Sequence, residues 1–226
     1  MSDPIQMSQL RNISLLNGMT AFEIKQMEHK TILKTAQKGD YIYIPEDSST
    51  YIYFLIRGYV KLGTYSGNGK ENTRTIVRPS EVFGELSVAD EQKRTEFAKA
   101  STDNVIIRAM YKADMQYLMQ TVPGLSLKIA KLMAYRLIRI EKRVEEFMFK
   151  DARTRIIDML REISNKNSAN TGDNIMANHQ LTHQDIGNLT ATSRQTVTTI
   201  LNQLKTENLI YYKRNNLVIR GNLAVK

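Results

Sequence analysis

The 226-residue sequence predicts an α+β protein with a β-rich part, a long helix and a small helical part that ends in strands. Three observations support this prediction. Short apolar or alternating runs separated by turn residues fill 31–111, a helical period spans 122–150, and two short helices followed by two strands fit 182–219. The chain is long enough for two domains, and its 42% hydrophobic content is sufficient for ordinary cores.

The β-rich part follows residues 8–30, whose apolar positions indicate one or two short helices. Residues 31–111 then alternate between predicted strands and turn-forming residues such as Gly58 and Gly69. The predicted strands are 41–44, 51–56, 59–65, 73–77 and 105–110. Short strands with regular turns favour antiparallel architectures, so we expect a small antiparallel barrel or sandwich of about 80 residues.

Residues 122–150 have the apolar spacing of a helix that packs against a second helix. The apolar positions alternate steps of three and four, and charged side chains surround them. These positions are Ala130, Met133, Leu137, Ile140, Val144 and Phe147. Two copies could pack as a parallel pair, which predicts a homodimer with the last five of these residues at its interface. The alternative is a long helix that lies on the β-rich part of its own chain.

Residues 182–210 have the spacing of a helix-turn-helix, the motif that places a helix in the major groove of DNA. Thr182, with Asp185 three residues later, predicts the start of a short helix, and Ser193 predicts the start of a second one. The polar face of the second helix consists of Arg194, Gln195, Thr198 and Thr199. Short polar chains and one arginine suit a close approach to bases and phosphates. The alternative is a pair of amphipathic helices in an ordinary helical domain.

Two strands around a basic turn follow this motif, in the order of a winged helix-turn-helix. The strands are 209–212 and 217–219, and Lys213 and Arg214 lie in the turn, where they could reach a phosphate. Exposed basic turns are often only solvated, which is the alternative for these two residues. Before the motif, the sequence predicts a helix at 151–164 and an exposed loop at 165–178.

Composition limits the function further. The net charge of +9 and the pI near 9.6 favour a polyanionic partner, although charge alone does not identify a nucleic-acid-binding protein. The absence of cysteine excludes disulfides and thiol redox sensing, and the three histidines lack metal-ligand spacing, so we expect no metal site. Because no enzyme motif, signal peptide or apolar run of about 18 residues occurs, we expect a cytoplasmic, non-enzymatic protein without a membrane partner.

Five short segments, in this order along nearly the whole chain, resemble the CRP/FNR family of bacterial transcription regulators. They are Lys38-Gly39-Asp40, Arg57 to Leu62, Val82 to Leu86, Asp151 with Arg155, and Ser193 to Val197, of which the last is the strongest match. The resemblance implies a sensory antiparallel β-roll of the double-stranded β-helix or jelly-roll type at 1–121. It further implies a dimerisation helix at 122–150 and a winged helix-turn-helix at 151–226.

The resemblance also implies an effector site in the β-roll. The family's carboxylate for a ribose hydroxyl corresponds to Glu85 within Gly84-Glu85-Leu86, and its phosphate clamp corresponds to Arg94-Thr95. Glu96 follows where alanine is usual, and a second carboxylate beside a phosphate is repulsive unless it points outward. Three alternatives stay open: a different small molecule, cyclic AMP, or no ligand. Arg94 could also pair with Glu85 or Glu96 instead of a phosphate.

Four further positions depart from the family pattern. Ile140 and Glu141 stand where cyclic-AMP-responsive members have two hydroxyls on the dimerisation helix, and they cannot make the same contact with adenine. Glu46 and Ser80 replace two turn glycines, so the loops near the implied effector site depart from the family pattern. These departures argue against cyclic AMP as the effector.

For DNA, the resemblance implies that Arg194 contacts a guanine and that Gln184, Ser193 and Thr196 contact phosphates. Gln195 stands where a glutamate is usual and suits adenine, so the preferred DNA site should differ from the best-known family consensus. Thr182, Thr198, Thr199, Lys213 and Arg214 complete the predicted DNA-binding set. The predicted partners are double-stranded DNA, a second copy of the chain and RNA polymerase. The alternative function is a cyclic-nucleotide-binding module that acts on a protein partner.

Overall fold

The computed structural model of the protein describes residues 10–167, 169–171, 174–178, 181–213 and 216–220. The chain divides into two compact units, Met1–Ile138 and Arg139–Lys226, and each is described by itself.

The first unit begins with the short helices expected between residues 8 and 30. A 3-10 turn at Ser14–Leu16 precedes helix α1 at Ala21–His29. Thr20 caps α1 because its hydroxyl accepts from the backbone N–H of Glu23, whose carboxylate in turn accepts from the backbone N–H of Thr20. This reciprocal pair satisfies two backbone donors at the start of the helix.

Eight strands in two antiparallel four-stranded sheets form the body of the first unit. The strands are β1 (Thr31–Ala36), β2 (Tyr41–Tyr43), β3 (Tyr51–Arg57), β4 (Val60–Tyr65), β5 (Glu71–Val77), β6 (Val82–Phe83), β7 (Phe97–Ala100) and β8 (Val105–Tyr111). The sheet orders are β1-β8-β3-β6 and β2-β7-β4-β5. The antiparallel β-roll expected from the sequence is confirmed. The strands β1, β6 and β7 were not predicted, since β6 is only two residues long and β7 is rich in small residues.

Apolar side chains from both sheets meet in one buried cluster, so the β-roll has a filled interior. The largest members of this cluster are Tyr43, Tyr53, Leu55, Leu62, Phe83 and Ile107. A second cluster lies where the outer face of the β3–β8 pair is covered by the N-terminal segment and two later helices. Neighbouring β3 residues alternate between these clusters, with Ile52 and Phe54 in the outer cluster and Tyr53 and Leu55 in the interior, as the two-residue period of a strand requires.

The two later helices are α2 (Lys112–Thr121) and α3 (Leu125–Phe149). The sequence predicted one helical segment from Val122, but Val122 caps α2 and Gly124 has a positive φ of 79°, so the long helix begins at Leu125. Leu125 and Ile129 are buried in the outer cluster. The helix α3 has 25 residues and contributes to both compact units.

The second unit contains three further helices and a four-stranded antiparallel sheet. The elements are α4 (Ala152–Asn167), β9 (Ala169–Thr171), β10 (Asn174–Asn178), α5 (His183–Leu189), α6 (Arg194–Thr206), β11 (Ile210–Lys213) and β12 (Asn216–Ile219). The sheet order is β11-β12-β10-β9. The predicted pair of strands after the second motif helix is therefore confirmed.

The predicted loop at 165–178 is wrong. Part of this segment extends helix α4, and most of the remainder forms the strands β9 and β10. The strand β10 pairs with β12 in the register Ile175↔Ile219. Pairing with β12 therefore stabilises a strand that the Asn-rich sequence does not predict.

Candidate nucleic-acid interface and effector site

Helices α5 and α6 form the helix-turn-helix, and each begins at the residue that the sequence predicted. The hydroxyl of Thr182 accepts from the backbone N–H of Asp185 at 3.1 Å, and the Asp185 carboxylate accepts from the backbone N–H of Thr182 at 2.9 Å. The hydroxyl of Ser193 accepts from the backbone N–H of Thr196 at 3.0 Å. Both helix starts are therefore fixed by local side-chain caps.

The turn between the two helices depends on Gly187, which the sequence analysis did not single out. A Cβ at this position would lie 2.7 Å from the carbonyl oxygen of Thr192, well inside a normal contact distance. The Gly187 carbonyl also accepts from the backbone N–H of Thr192 at 2.9 Å, and Ala191 takes a positive φ of 49°. Glycine thus allows the turn to pack directly against α5.

Arg155 on α4 holds the same turn from the other side. Its Nε donates to the carbonyl of Thr190 at 2.9 Å, and its Nη2 lies 3.4 Å from the carbonyl of Ala191. Its Nη1 donates to the carbonyl of Lys150 at 2.6 Å, and the guanidinium lies 5.6 Å from the centre of the Phe147 ring. Asp151 caps the start of α4 by accepting from the backbone N–H of Thr154 at 2.7 Å. Both residues of this resemblance segment therefore have structural roles.

Helix α6 is amphipathic in the way that a recognition helix requires. Its inner face is buried among residues of α4, α5 and the second-unit sheet. This face consists of Val197, Ile200, Leu201 and Leu204. On the opposite side, Ser193, Arg194, Gln195 and Thr199 are exposed, and Thr196 and Thr198 are half-buried. The polar side chains predicted for DNA contact therefore occupy one outward surface.

Besides the capping residues, Thr198 and Gln184 of the predicted DNA-binding set take part in local hydrogen bonds. Thr198 donates its hydroxyl to the Arg194 carbonyl at 3.0 Å, and its oxygen lies 2.9 Å from Nδ1 of His183. Burial lowers the pKa of His183, and the positive charge of Arg194 acts in the same direction. Gln184 is exposed on α5 and donates to the side-chain oxygen of Asn188 at 2.8 Å.

The predicted wing contacts lie largely outside the described residues. Lys213 ends β11, and the structure gives its backbone but not its side chain. Arg214 lies in the gap between residues 213 and 216.

Two of the predicted effector residues, Gly84 and Arg94, are in contact, since the guanidinium of Arg94 donates to the Gly84 carbonyl. Gly84 has a positive φ of 68°, and the next residues form a 3-10 turn at Glu85–Ala89. Glu85 is only 2% exposed, and its Oε1 accepts from Arg136 of α3. Its other oxygen is buried without a partner among the described residues. Burial raises the pKa of Glu85, while the positive charge of Arg136 lowers it.

Arg94 points into the protein and is 2% exposed. Its Nη1 donates to the Gly84 carbonyl at 3.1 Å and to Oε2 of Glu91 at 3.2 Å, and its Nη2 donates to the carbonyl of Tyr51. The guanidinium also lies 4.4 Å from the centre of the Tyr43 ring. The expectation that Arg94 could pair with Glu85 or Glu96 is wrong, because its hydrogen-bonded carboxylate is Glu91.

The remaining effector residues differ in exposure. Leu86 and Thr95 are exposed, so neither is enclosed in the pocket in this structure. Glu96 is half-buried and accepts from the hydroxyl of Tyr43 at 3.3 Å, and burial raises its pKa. Glu96 would be compatible with a neighbouring phosphate only if its carboxylate pointed outward into water, and it does not.

Glu46 and Ser80 keep the backbone conformation of the glycines that they replace. Their φ values are 71° and 73°, both in the left-handed region that favours glycine. The loops near the pocket therefore keep a glycine-like path despite the substitutions.

The predicted dimer residues form an apolar row on α3. Leu137, Ile140 and Val144 are 57%, 55% and 51% exposed, and Phe147 is 39% exposed. Met133 is half-buried because it packs against the outer cluster of the first unit. The row therefore lies open to solvent in the single chain over most of its length.

Among the described residues, no three acidic or histidine side chains gather in the way a metal ion would require. No helix in the described part of the chain combines the length and the apolar character needed to cross a membrane.

Two domain models match separate parts of the chain. Residues 33–122 match the cyclic nucleotide-binding domain, and residues 154–221 match the Crp-like helix-turn-helix domain. The cAMP-activated global transcriptional regulator CRP of Haemophilus influenzae is 30% identical over 196 residues, 86% of each chain. A CRP-like cAMP-activated global transcriptional regulator of Mycobacterium tuberculosis is 29% identical over 160 residues, 71% of each chain.

Solved structures are similar in fold. The structure of FixK2 from Bradyrhizobium japonicum matches with a TM-score of 0.75 and 20% identity, covering 87% of this chain and 98% of that one. This likeness shows the fold, and the two domain matches with the relative from Haemophilus influenzae show the family. The chain belongs to the CRP/FNR family of bacterial transcription regulators.

Proposed function

We propose that the protein is a homodimeric transcription regulator that binds a palindromic DNA site through the two copies of α6. The observation that carries this proposal is the outward polar surface of α6. Ser193, Arg194, Gln195 and Thr199 are exposed there, while the opposite face of the same helix is buried. A helix anchored in this way can enter the major groove without exposing apolar side chains to the DNA.

We assign different roles to the exposed residues of this surface. Arg194 has a planar fork that suits the two acceptors of a guanine, and Gln195 can both donate to and accept from an adenine. Gln184, Ser193 and Thr196 lie at or near the starts of α5 and α6, where hydroxyl, amide and backbone N–H groups can contact phosphates. Thr182, Thr198, Thr199, Lys213 and Arg214 stay in the proposed set of DNA contacts.

Dimerisation is supported by the apolar row on α3. A row that is more than half exposed at Leu137, Ile140 and Val144 would be a solubility liability in a monomer. Pairing two copies of α3 as a coiled coil would bury this row. In such a dimer two recognition helices about 34 Å apart would contact successive major grooves, which requires a DNA site with two-fold symmetry.

We propose that the β-roll controls DNA binding. In the proposed division, residues 1–121 sense an effector, 122–150 dimerise and 151–226 bind DNA. An occupied pocket would change the packing of the paired α3 helices and so the spacing of the recognition helices. RNA polymerase is the proposed further partner, since the named relatives are transcriptional regulators rather than enzymes.

The effector is a small molecule that we do not expect to be cyclic AMP, although both relatives described above are named as cAMP-activated. Ile140 and Glu141 lack the hydroxyls that would hold adenine. Glu96 adds a half-buried carboxylate close to Tyr43 and Arg94, where a cyclic phosphate would be repelled.

The test is selection of binding sites from a random DNA duplex pool by the purified full-length protein, with and without cyclic AMP and at two salt concentrations. We expect a palindrome that is recovered without cyclic AMP and that differs from the best-known family consensus. Recovery of the unchanged family consensus would contradict the assignment of Gln195. No enriched site under any of these conditions would contradict DNA binding by the effector-free protein.

Arg194→Ala then tests the contact itself, with Lys205→Ala as the matched control on the same helix. Both side chains are exposed, but Lys205 lies in the last turn of α6, away from the proposed base contacts. Loss of a bidentate guanine contact costs about 1–3 kcal/mol of discrimination. We expect Arg194→Ala to lower the affinity ratio between selected and scrambled DNA by about 5- to 150-fold, and Lys205→Ala to leave this ratio unchanged. Equal ratios in both variants would contradict the role of Arg194.

A further inference from the structure

The side chain of Glu91 contacts Arg94 and Thr95, the two residues that correspond to the family's phosphate clamp. Its Oε2 accepts from Nη1 of Arg94 at 3.2 Å and from the hydroxyl of Ser49 at 2.7 Å. Its Oε1 lies 3.3 Å from the hydroxyl of Thr95. An arginine N–H and two hydroxyls are donors of the kind that proteins use to hold a phosphate group. Here they hold a carboxylate of the same chain.

This contact is enclosed. The side chain of Arg94 is 2% exposed and that of Glu91 is 12% exposed. The other hydrogen bonds of the Arg94 guanidinium go to the backbone carbonyls of Gly84 and Tyr51, and its Nε is buried without a partner among the described residues. Carbonyls carry no net charge, so Glu91 is the negative charge in direct contact with Arg94.

The backbone on both sides of Glu91 fixes this arrangement. Asp90 has a positive φ of 64°, which ends the preceding 3-10 turn, and the backbone N–H of Glu91 donates to the Leu86 carbonyl at 3.2 Å. The backbone of Arg94 exchanges hydrogen bonds with the facing segment, donating to Asp47 at 2.8 Å and accepting from Glu46 at 2.9 Å. A change of the side chain at position 91 should therefore leave Arg94 in place.

We infer that Glu91 is an intramolecular substitute for an anionic effector, and that it closes the arginine of the β-roll to phosphate-bearing molecules. A phosphate that approached Nη1 of Arg94 would meet the Glu91 carboxylate at contact distance, and like charges at that separation are strongly unfavourable. An effector that binds while Glu91 contacts Arg94 therefore lacks an anionic group at this position. This inference rests on the proposed role of the β-roll as the sensory part, and it deepens that role.

The test is calorimetric titration of the full-length protein with cyclic AMP and, separately, with inorganic phosphate. Glu91→Gln removes the charge but keeps the size of the side chain. Glu46→Gln is the matched control, because Glu46 is a neighbouring carboxylate whose side chain is 78% exposed and pairs only at the surface with Lys93. Removal of a contacting like charge should raise anion affinity at least about tenfold in Glu91→Gln. The wild type and Glu46→Gln should share the same weak affinity.

A second variant keeps the inference testable if Glu91→Gln does not fold. Glu91→Asp retains the charge but shortens the side chain by one methylene, so it should loosen the contact with Arg94 and give a smaller gain in affinity. Thermal denaturation of each variant establishes which ones are folded. Equal affinity for cyclic AMP in the wild type and in the folded Glu91 variants would overturn the inference, as would tight binding of cyclic AMP by the wild type.

Binding of the selected DNA site is measured in parallel, which separates this inference from the proposed function. If the wild type binds DNA and the Glu91 variants gain no anion affinity, only the role of Glu91 fails. If no variant binds DNA but Glu91→Gln gains anion affinity, the inference about Glu91 is supported while the proposed function fails.

Discussion

Replacing Arg155 with Met should loosen the turn of the helix-turn-helix and weaken DNA binding. The guanidinium donates to the carbonyls of Thr190 and Lys150 and lies near that of Ala191. Methionine is unbranched and apolar, so it can replace the side-chain stem while removing all three polar contacts and the guanidinium that lies 5.6 Å from the centre of the Phe147 ring. The change therefore tests the guanidinium contacts while an apolar stem is kept.

The expected cost follows from the geometry of these bonds. Hydrogen bonds from a charged donor contribute about 1.5–3 kcal/mol each. The contacts with Thr190 at 2.9 Å and Lys150 at 2.6 Å are partly buried, so each should lie near the lower end of that range. The contact with Ala191 is 3.4 Å long and exposed, so it should add little. The sum is a loss of about 3 kcal/mol in the free energy of unfolding of the second unit.

Arg153→Met is the matched control, two residues earlier on the same helix. Arg153 pairs with Glu207 at the surface, with a side chain that is 36% exposed. Surface ion pairs of this kind contribute about 0–1 kcal/mol. Urea denaturation of the full-length variants, followed by circular dichroism, measures the free energy of unfolding, and titration with the selected DNA measures affinity. Similar losses of stability in the two variants, or unchanged DNA affinity in a folded Arg155→Met, would refute the role of Arg155.

Four other predictions test separate parts of the structure. Gly187→Ala should lower both stability and DNA affinity, because the added Cβ would lie 2.7 Å from a backbone oxygen. Such overpacking costs about 1–3 kcal/mol, whereas the higher helix propensity of alanine contributes about 1 kcal/mol in the opposite direction. A variant more stable than the wild type would contradict this reasoning. Leu137→Asp should convert the dimer into a monomer, which analytical ultracentrifugation measures. Leu127→Asp is the control, because Leu127 is an exposed leucine on the same helix. An unchanged sedimentation coefficient in Leu137→Asp would exclude the predicted interface. Because the pKa of His183 is lowered in the folded protein, the unfolded chain binds a proton there more readily. The wild type should therefore lose stability as the pH falls below the ordinary value of 6.5. Denaturation curves at about pH 5 and 8 should show this loss in the wild type but not in His183→Gln. The raised pKa of Glu85 has the opposite consequence, because the folded protein loses stability as the pH rises above 4.5 through the raised value, and Glu85→Gln should remove that part of the pH dependence.

Local signals made the helix-turn-helix predictable. Thr182 and Ser193 each cap the helix that follows, and a cap depends on residues only three positions apart. The strands β3 and β8 were predicted because each is a short, nearly continuous apolar run. Most of their residues are buried, so the sequence records this burial directly as a run of apolar side chains.

Features that depend on distant residues could not be predicted. The strand β10 is ordered by its pairing with β12, more than 35 residues later in the chain at Ile175↔Ile219. The importance of Gly187 depends on the carbonyl of Thr192 after a turn, and no local pattern reports how closely the two approach. The partner of Arg94 was misassigned because three glutamates lie within ten residues of it, and only the left-handed turn at Asp90 brings Glu91 into contact.

The positive φ values of Glu46 and Ser80 have a consequence for the evolution and engineering of this protein. Backbone hydrogen bonds hold both residues in place: Ser80 donates to Leu55 at 2.8 Å and accepts from Ser14 at 2.9 Å, and Glu46 donates to Arg94. The surrounding fold therefore imposes a conformation that costs a side-chain-bearing residue about 1–2 kcal/mol, whereas glycine would lose about 0.5–1 kcal/mol through its greater freedom in the unfolded chain. Replacing either residue with glycine should therefore raise the free energy of unfolding by up to about 1 kcal/mol without altering the path of the loops.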